Sequence, residues 1–593
     1  MTTNRSQVEK KDTWDLEALF STSKEWEKEF EKIVASVGEI AKYKGRLGHR
    51  DDLLSCLSRL YEIDRIIEKL NSYTSCRLNE DLGNGPSNER DGKLSNFLSD
   101  FGAMVAFIDP ELASCNEEYL TTLLSDPDFT DYRMHIDGII REKAHLLSEK
   151  EEALLATVMN SFGAPDRIYS KAQNVDMVFK SVHCDGEKKE LTDATYRTFL
   201  EHPDGKVRQR AMNNMMGAYA ASRNMFTETL GAHVKTQVDL AKARNYDHVM
   251  GSFLHGENIP ASVYQTLFGV TNENLHLLHR YCDIRKKAMG LRKLHWYDLY
   301  VPIISGIDGE YTYGNGVGLI GKALSPLGAE YVETLLAGLT TKRWVDKYEN
   351  KGKMSGAYSG GSYDGFPYIL LNFNGKLEYV FTIAHEGGHS MHTELARRTQ
   401  TYPLYDYNIF LAEIASTMNE NLLSDHLLKG ADKNMRAFIL NKKLESIRTT
   451  FFRQTMFAEF EAMLYDVVWN GKTLTPDFLE KEYHALNERY YGPGVVVDDL
   501  IRHEWSRIPH FFYNFYVYQY ATGIAAATYF SKKVLEGGEA ERENYFNVLR
   551  AGGSDYAIPI LQKAGLDVTS PEYLKAIMDE FKDTLDEFEE LIG

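Results

Sequence analysis

The segment with the clearest chemical meaning is His385-Glu386-Gly387-Gly388-His389, an HExxH motif. Residues four apart lie on one face of an α-helix, so the two histidines can hold the same metal ion. The glutamate between them can reach a metal-bound water and take its proton. The runs LEYVFTIA before the motif and SMHTELARR after it continue an amphipathic helical pattern. The segment therefore predicts the centre of a metal-dependent hydrolase.

A catalytic zinc ion needs a third protein ligand and keeps one position open for water. The extended HExxHxxGxxH pattern is not followed, because His392 and Leu395 stand where that pattern has Gly and His. The helical segment FLAEIASTMNE instead offers Glu413 and Glu420, which are seven residues apart and therefore share a face. Spacing leaves either glutamate as the ligand, with the other supporting it. We expect His392 to be a packed histidine rather than a ligand.

A second group of polar aromatic residues lies in IPHFFYNFYVYQYATG, residues 508–523. Tyr513, Tyr516 and Tyr520 form one stripe of a predicted helix that runs from residue 508 to 531. Such a stripe is often ordinary core, but buried phenols need hydrogen-bond partners, and His510 stands beside them. Phenol and imidazolium groups are suitable donors to an oxyanion. The polar groups argue against a membrane-spanning helix, since hydrocarbon would leave them unsatisfied.

A glycine-rich loop and a strand, SGAYSGGSYDGFPYILLNF at residues 355–373, precede the HExxH segment. A strand with a free edge beside the metal could pair with an extended peptide. Gly360 and Gly361 would let a substrate backbone approach closely, and Tyr368 begins the apolar strand. A purely structural loop is the alternative interpretation of the same residues.

The remaining chain is dominated by helical periodicity. Residues 178–191 alternate around Asp185-Gly186 and predict a small hairpin. A polar stretch, EHPDGKVRQR, suggests a boundary near residue 205. We expect an N-terminal helical domain over residues 1–205 and a catalytic domain over residues 206–593.

Composition limits the classes of function. The chain has 593 residues and a net charge of −19, which does not favour binding to nucleic acid or to an anionic membrane surface. Its five cysteines are scattered and include no CxxC pair, so a reducing compartment is expected rather than a disulfide framework or a thiolate metal site. The N-terminus lacks the apolar core of a secretory signal. We therefore expect a cytoplasmic protein without nucleic-acid or membrane partners.

Several of these segments occur in the order of a known family. The chain resembles the oligoendopeptidase F branch of the thimet-oligopeptidase-like zinc peptidases, and residues 110–190 resemble the N-terminal region of that branch. The resemblance is carried by WDLEALF, AKARNYDHVM, LHWYDLYVP, SGAYSGGSY, FTIAHEGGHSMH, FLAEIASTMNE, IPHFFYNFYVYQYATG and AGGSDYAIPILQKAGLD.

The resemblance implies a mainly α fold, an ellipsoid of many helices with a deep substrate channel and a small β-sheet beside the HExxH helix. It implies one Zn²⁺ per chain, held by His385, His389 and Glu413, with Glu386 as the general base. It implies that His510, Tyr513 and Tyr520 contact the substrate and the oxyanion. By the same resemblance we expect substrate contacts from Gly360, Gly361, Tyr368 and Tyr516. Family members often carry a larger residue where this chain has Gly387, a difference that concerns helix packing and not metal ligation.

The function predicted is a zinc-dependent oligoendopeptidase that cuts internal bonds of short, unstructured peptides. A zinc carboxypeptidase on a similar helical scaffold is the alternative within enzymes. A non-catalytic peptide-binding protein with a retained metal is a third hypothesis, but it predicts the loss of Glu386, which is present. Two histidines, one glutamate and a water favour zinc over other divalent metals. The oligomeric state is not predicted.

Overall fold

The computed structural model describes residues 3–304 and 309–592. The chain forms two compact units, each assembled from three segments. The first comprises Met1–Ala144, Asp308–Lys429 and Ala527–Leu566; the second comprises His145–Ile307, Gly430–Ala526 and Asp567–Gly593. The boundary expected near residue 205 lies inside the second unit, because long-range packing, not chain order, defines these units.

The fold is mainly α, as expected. The helices that precede residue 305 are α1 (Ser23–Ser36), α2 (Arg50–Glu80), α3 (Gly85–Val105), α4 (Ile108–Ser114), α5 (Glu117–Leu124), α6 (Arg133–Glu142), α7 (Glu149–Phe162), α8 (Ala164–Lys171), α9 (Asp193–Leu200), α10 (Gly205–Ala221), α11 (Arg223–Ala243), α12 (Val249–Leu254), α13 (Ser262–Glu273) and α14 (Leu275–Ala288). Those that follow residue 308 are α15 (Tyr313–Ala323), α16 (Ala329–Leu339), α17 (Leu377–Thr399), α18 (Tyr402–Tyr405), α19 (Ile409–Gly430), α20 (Lys433–Ser446), α21 (Arg453–Trp469), α22 (Pro476–Tyr491), α23 (Tyr518–Ala551), α24 (Ala557–Lys563) and α25 (Glu572–Ile592). None of these helices combines the length and apolar character that crossing a bilayer requires.

The strands are short: β1 (Val182–Cys184), β2 (Glu187–Lys189), β3 (Leu294–His295), β4 (Val345–Asp346), β5 (Tyr358–Gly360), β6 (Tyr368–Leu370) and β7 (Val495–Val496). Strands β1 and β2 form the predicted hairpin, whose turn residues Asp185 and Gly186 have φ values of 54° and 81°. Two positive φ angles are what a two-residue hairpin turn of type I′ requires. In the second unit, β3 pairs in parallel with β7. In the first unit, the strand order is β4-β6-β5, with β4 parallel and β5 antiparallel to β6.

A buried charge network anchors the N-terminal segment to this three-stranded sheet. Arg5 Nη2 lies 2.6 Å from Asp346 Oδ2 on β4 and 2.7 Å from Glu80 Oε1 at the end of α2. Lys353 Nζ lies 2.7 Å from Asp346 Oδ1, and the Trp14 indole N–H donates to Glu80 Oε1 at 2.6 Å. These contacts show that the WDLEALF motif has a structural task, which is to hold the sheet.

The polar aromatic segment differs from the continuous helix predicted over residues 508–531. A 3₁₀ turn spans Pro509–Phe512, Asn514 and Phe515 adopt left-handed backbone conformations, and α23 begins only at Tyr518. Asn tolerates the left-handed region better than most residues. The tyrosine spacing suggested a helix because three- and four-residue intervals arise by chance in a segment this rich in aromatics.

Candidate active site

Helices α17 and α19 of the first unit approach each other unusually closely at Gly388. A Cβ atom at that position would lie 2.3 Å from the Ala415 carbonyl oxygen and 2.6 Å from the Ser416 Cα. The two helices are also joined by Asn419 Nδ2, which donates to the Ala384 carbonyl at 3.0 Å. The HExxH segment lies within one continuous helix, as predicted, and the absence of a side chain at Gly388 brings the FLAEIAS segment against it.

This close approach brings three potential metal ligands together. The ligand atoms of His385, His389 and Glu413 lie within 4.8 Å of one another. Glu413 Oε2 lies 3.6 Å from His385 Nε2 and 3.8 Å from His389 Nε2. Two imidazole nitrogens and one carboxylate oxygen form a donor set that suits zinc, with room for water as a fourth ligand. The residues present therefore fit the metal that the HExxH spacing predicts.

Glu420 supports the site without facing the same point as Glu413. Its Oε1 lies 2.7 Å from His385 Nδ1, on the opposite side of the ring from Nε2. A carboxylate on Nδ1 keeps the proton on that nitrogen and leaves Nε2 as the lone-pair donor. His389 is oriented similarly by a hydrogen bond to the Ala412 backbone, and Ser416 Oγ donates to Glu413 Oε2 at 2.9 Å. Of the two roles that spacing left open, the geometry assigns the supporting one to Glu420.

Charge and burial give these groups unusual proton affinities. Burial disfavours the imidazolium form of His385, but Glu420 and Glu413 outweigh this and raise its pKa to about 9. Burial lowers the pKa of His389 to about 4, and the neighbouring His385 lowers it further. Because a histidine binds metal only in its neutral form, His385 must lose a proton when a metal ion binds.

Glu386 lies beside these ligands and is only 7% exposed. Burial raises its pKa to about 7; the nearby His385 opposes this rise, while Glu413 and Glu420 add to it. The backbone of Ser359, on strand β5, forms a hydrogen bond with the carboxylate. A carboxylate whose pKa lies near neutrality is suited to accept and return a proton. Sequence reasoning did not identify Ser359, which carries no recognisable signal of its own.

Strand β5 is an edge strand of the three-stranded sheet and runs beside the HExxH helix. It pairs with β6 on one side, and its other edge faces no strand in the described part of the chain. Ser359 Oγ lies 2.8 Å from Ser390 Oγ on α17, which fixes the strand to that helix. The free edge expected beside the metal therefore belongs to β5, whereas β6 is paired on both sides.

Two of the four residues expected to contact substrate have structural tasks instead. The Tyr368 side chain is fully buried, and its hydroxyl donates to the Asp15 carbonyl at 2.8 Å. A Cβ on Gly361 would lie 2.5 Å from the Phe366 carbonyl oxygen, so the turn between β5 and β6 itself excludes a side chain there. We therefore no longer expect a substrate contact from the Tyr368 side chain. Gly360 lies at the end of the edge strand, in the expected position.

His392 is buried one turn beyond His389 and stacks on Tyr407, with ring centroids 3.5 Å apart. Burial lowers its pKa to about 3. It is a packed, neutral histidine, as the sequence suggested.

The polar aromatic residues form a compact cluster in the second unit. The His510 ring centroid lies 5.4 Å from that of Tyr513, 6.5 Å from that of Tyr516 and 6.1 Å from that of Tyr520. Tyr513 is 52% exposed, and burial lowers the pKa of His510. Thus the structure brings together all four residues that the sequence grouped, although by a turn rather than by a helical stripe.

A second set of potential ligands, Cys184, Asp185 and His202, lies at the β1–β2 hairpin. Lys189 Nζ already lies 3.0 Å from Asp185 Oδ2. The Asp204 backbone N–H donates to His202 Nδ1, so the neutral ring carries its proton on Nε2, the atom that faces Asp185 at 3.2 Å. A protonated nitrogen and an ammonium group make this a hydrogen-bonded charge cluster, not a metal site, in agreement with the cysteine pattern.

Comparisons with known proteins agree with this geometry. The description "Peptidase family M3" matches residues 198–580, and "Oligopeptidase F" matches residues 111–179. The chain is 40% identical to oligopeptidase PepF of Bacillus subtilis, over 99% of this chain and 88% of that protein. It is 39% identical to the group B oligopeptidase PepB of Streptococcus agalactiae, over 100% of this chain and 99% of that protein.

Among solved structures, the oligoendopeptidase-F of Enterococcus faecium aligns with a TM-score of 0.74 and 32% identity, covering 96% of this chain and 100% of that one. The mainly helical fold, the converging His385, His389 and Glu413, and these full-length matches agree. The chain is a metallopeptidase that hydrolyses peptide bonds, and it belongs to peptidase family M3, in the oligoendopeptidase F branch.

Proposed function

We propose that the protein is a zinc-dependent oligoendopeptidase that cleaves internal bonds of short, unstructured peptides, with Glu386 as its general base. The observation that carries this proposal is the convergence of His385 Nε2, His389 Nε2 and Glu413 Oε2, with the Glu386 carboxylate on the same helix. His385, His389 and Glu413 would hold one Zn²⁺ per chain. When bound there, zinc supplies a water of lowered pKa and polarises a carbonyl group.

The roles of the chain's own residues follow from their proton affinities and orientation. Glu386 takes a proton from the attacking water and later gives it to the leaving amine, a task that its pKa of about 7 supports. Glu420 holds the proton of His385 on Nδ1, so that Nε2 remains a ligand. His510, Tyr513 and Tyr520 act as hydrogen-bond donors to the oxyanion and the peptide, and Tyr516 contacts the substrate.

The edge strand β5 supplies a natural binding mode for an extended peptide. Its unpaired edge offers backbone donors and acceptors that would add the substrate as a further strand of the sheet. This mode reads main-chain groups and therefore suits unstructured peptides of varied sequence. Gly360 leaves space for the substrate backbone at the end of that edge.

The test is hydrolysis of a fluorescence-quenched peptide of about ten residues, blocked at both ends, which suits a mode that reads main-chain groups along a strand. The protein is assayed as purified, after treatment with a chelator, and after Zn²⁺ is restored, and the products are identified by mass spectrometry. We expect activity that is lost and recovered with zinc, and cuts inside the blocked peptide. Internal cuts exclude an obligate carboxypeptidase.

The general base is tested by Glu386→Gln against Glu378→Gln. Both substitutions remove one carboxylate from α17, but Glu378 is exposed in the first turn of that helix. We expect Glu386→Gln to lower kcat by roughly 100- to 10,000-fold with one zinc still bound, since that is the range a general base contributes. The control should keep its activity. Unchanged turnover in Glu386→Gln would overturn the assigned mechanism.

A further inference from the structure

The turn between Tyr513 and Tyr516 has an uncommon backbone. Asn514 and Phe515 have φ angles of 52° and 56°, so two consecutive residues other than glycine lie in the left-handed region. A bulky aromatic residue rarely adopts this conformation, because its Cβ crowds the backbone. Such a conformation persists only where surrounding contacts hold it, and these conformations concentrate at functional sites.

Four side chains from three helices hold this turn. Asn514 Oδ1 accepts hydrogen bonds from His233 Nε2 and from the Tyr465 hydroxyl, both at 2.7 Å. The Phe515 N–H donates to Glu461 Oε1 at 2.8 Å, and the Phe515 carbonyl accepts from the Tyr264 hydroxyl at 3.0 Å. Both backbone polar groups of Phe515 are therefore bound by side chains, outside any helix or sheet.

These holding contacts are buried and rigid. The Phe515 ring packs 4.7 Å from the Tyr465 ring and 5.9 Å from the Tyr264 ring, centroid to centroid. Glu461 is 1% exposed, and burial raises its pKa to about 8, so its carboxyl group is mainly uncharged at neutral pH. Burial also lowers the pKa of His233, which keeps that ring neutral. The turn is thus held by neutral hydrogen bonds whose geometry is insensitive to salt.

The turn determines where two exposed phenols point. Tyr513 precedes it and Tyr516 follows it, with their ring centroids 6.3 Å apart and His510 stacked beside Tyr516. Relaxing Asn514 and Phe515 into an ordinary helical conformation would change the direction of the chain between these two rings. It would separate or rotate the groups that we assign to the oxyanion and the peptide.

We propose that His233, Tyr264, Glu461 and Tyr465 are positioning residues for peptide hydrolysis: they hold the left-handed turn at Asn514 and Phe515, and the turn orients Tyr513, Tyr516 and His510 toward the bound peptide. This inference rests on the proposed function of that aromatic cluster. The positioning residues act only through the turn and need no contact with substrate.

The test compares Tyr264→Phe with Tyr313→Phe. Each variant removes one buried hydroxyl that donates to a backbone carbonyl at 3.0 Å, that of Phe515 in the first case and that of Leu339 in the second. We expect Tyr264→Phe to lower kcat on the blocked peptide by roughly 10- to 100-fold with a smaller change in KM, the size that a small misplacement of catalytic groups produces. Tyr313→Phe should leave turnover unchanged, and both should bind zinc as the parent protein does.

A second comparison separates positioning from loss of stability. In a Tyr513→Phe/Tyr516→Phe background the groups being positioned are gone, so Tyr264→Phe should lower kcat by less than about threefold, because residues that act as a unit are non-additive. Glu461→Gln keeps an acceptor for the Phe515 N–H and should retain activity, whereas Glu461→Ala should behave like Tyr264→Phe. Tyr465→Phe provides an independent variant if Glu461→Ala does not fold.

The outcomes distinguish this inference from the function on which it rests. Equal turnover of Tyr264→Phe and Tyr313→Phe, with the parent protein active, would overturn the positioning role and leave the proposed function intact. Equal losses from Tyr264→Phe in the parent and in the double-variant background would also overturn it, because that is the result of a general structural effect. No cleavage by the zinc-loaded parent protein would overturn the proposed function and this inference together.

Discussion

The close packing at Gly388 makes a sharp prediction about Gly388→Ala. The added Cβ would lie 2.3 Å from the Ala415 carbonyl oxygen, and the Ser416 Cα is 2.6 Å away. Ordinary van der Waals contact begins near 3.4 Å, so α19 must move away from α17 by about 1 Å. The obstructing atoms belong to helix backbone, which cannot rotate aside as a side chain does.

This shift has different consequences for stability and for metal binding. Overpacking costs about 1–3 kcal/mol, and replacing glycine by alanine within a helix returns about 1 kcal/mol. Net stability should therefore fall only modestly. Glu413, two residues before Ala415, moves with α19, whereas ligand distances in a metal site tolerate only about 0.2 Å. We expect Gly388→Ala to lose at least about tenfold in zinc affinity, comparable to loss of a supporting residue.

The neighbouring Gly387→Ala is the matched control. Its Cβ would lie 3.1 Å from Leu335 Cδ1, the end of a side chain that can rotate, so the helices need not separate. Zinc affinity is measured by competition with a chromophoric chelator, and turnover with the blocked peptide. Parent-like zinc affinity and turnover in Gly388→Ala, or equal losses in both variants, would refute the argument that this contact determines the ligand geometry.

Three further predictions concern charge. Glu420→Gln should weaken zinc binding by roughly 10- to 100-fold, because His385 loses the carboxylate that orients it, and measured affinity equal to the parent's would contradict that role. Since the pKa of His385 is raised to about 9 in the metal-free chain, its pairing stabilises that form fully below pH 6.5 and is lost as the pH rises through 9; zinc affinity should correspondingly rise with pH over this interval, and a flat titration would refute this. Glu504→Ala should destabilise the protein by about 3–5 kcal/mol in a denaturant titration, because the buried Arg453 guanidinium, 2.6 Å from Glu504, loses its partner. A change below about 1 kcal/mol, typical of exposed ion pairs, would contradict it.

The sequence alone determined the features that depend on local spacing. The four-residue interval between His385 and His389 places both on one helical face whatever surrounds the helix, and Glu386 follows from the same geometry. The Asp185-Gly186 hairpin was predictable for a similar reason, since its turn depends on two adjacent residues. Resemblance to a family added the ligand role of Glu413, which spacing could not separate from that of Glu420.

Only the tertiary structure decided which distant segments meet. Glu413 and Glu420 share a helical face, and it is the approach of α17 to α19 at Gly388 that turns the first toward both histidines and the second toward one ring nitrogen. Tyr368 reads as an exposed strand residue until the sheet order buries it. Periodicity is a property of neighbours along the chain, whereas burial and ligand convergence arise from contacts between residues far apart in sequence, and those contacts exist only once the chain has folded.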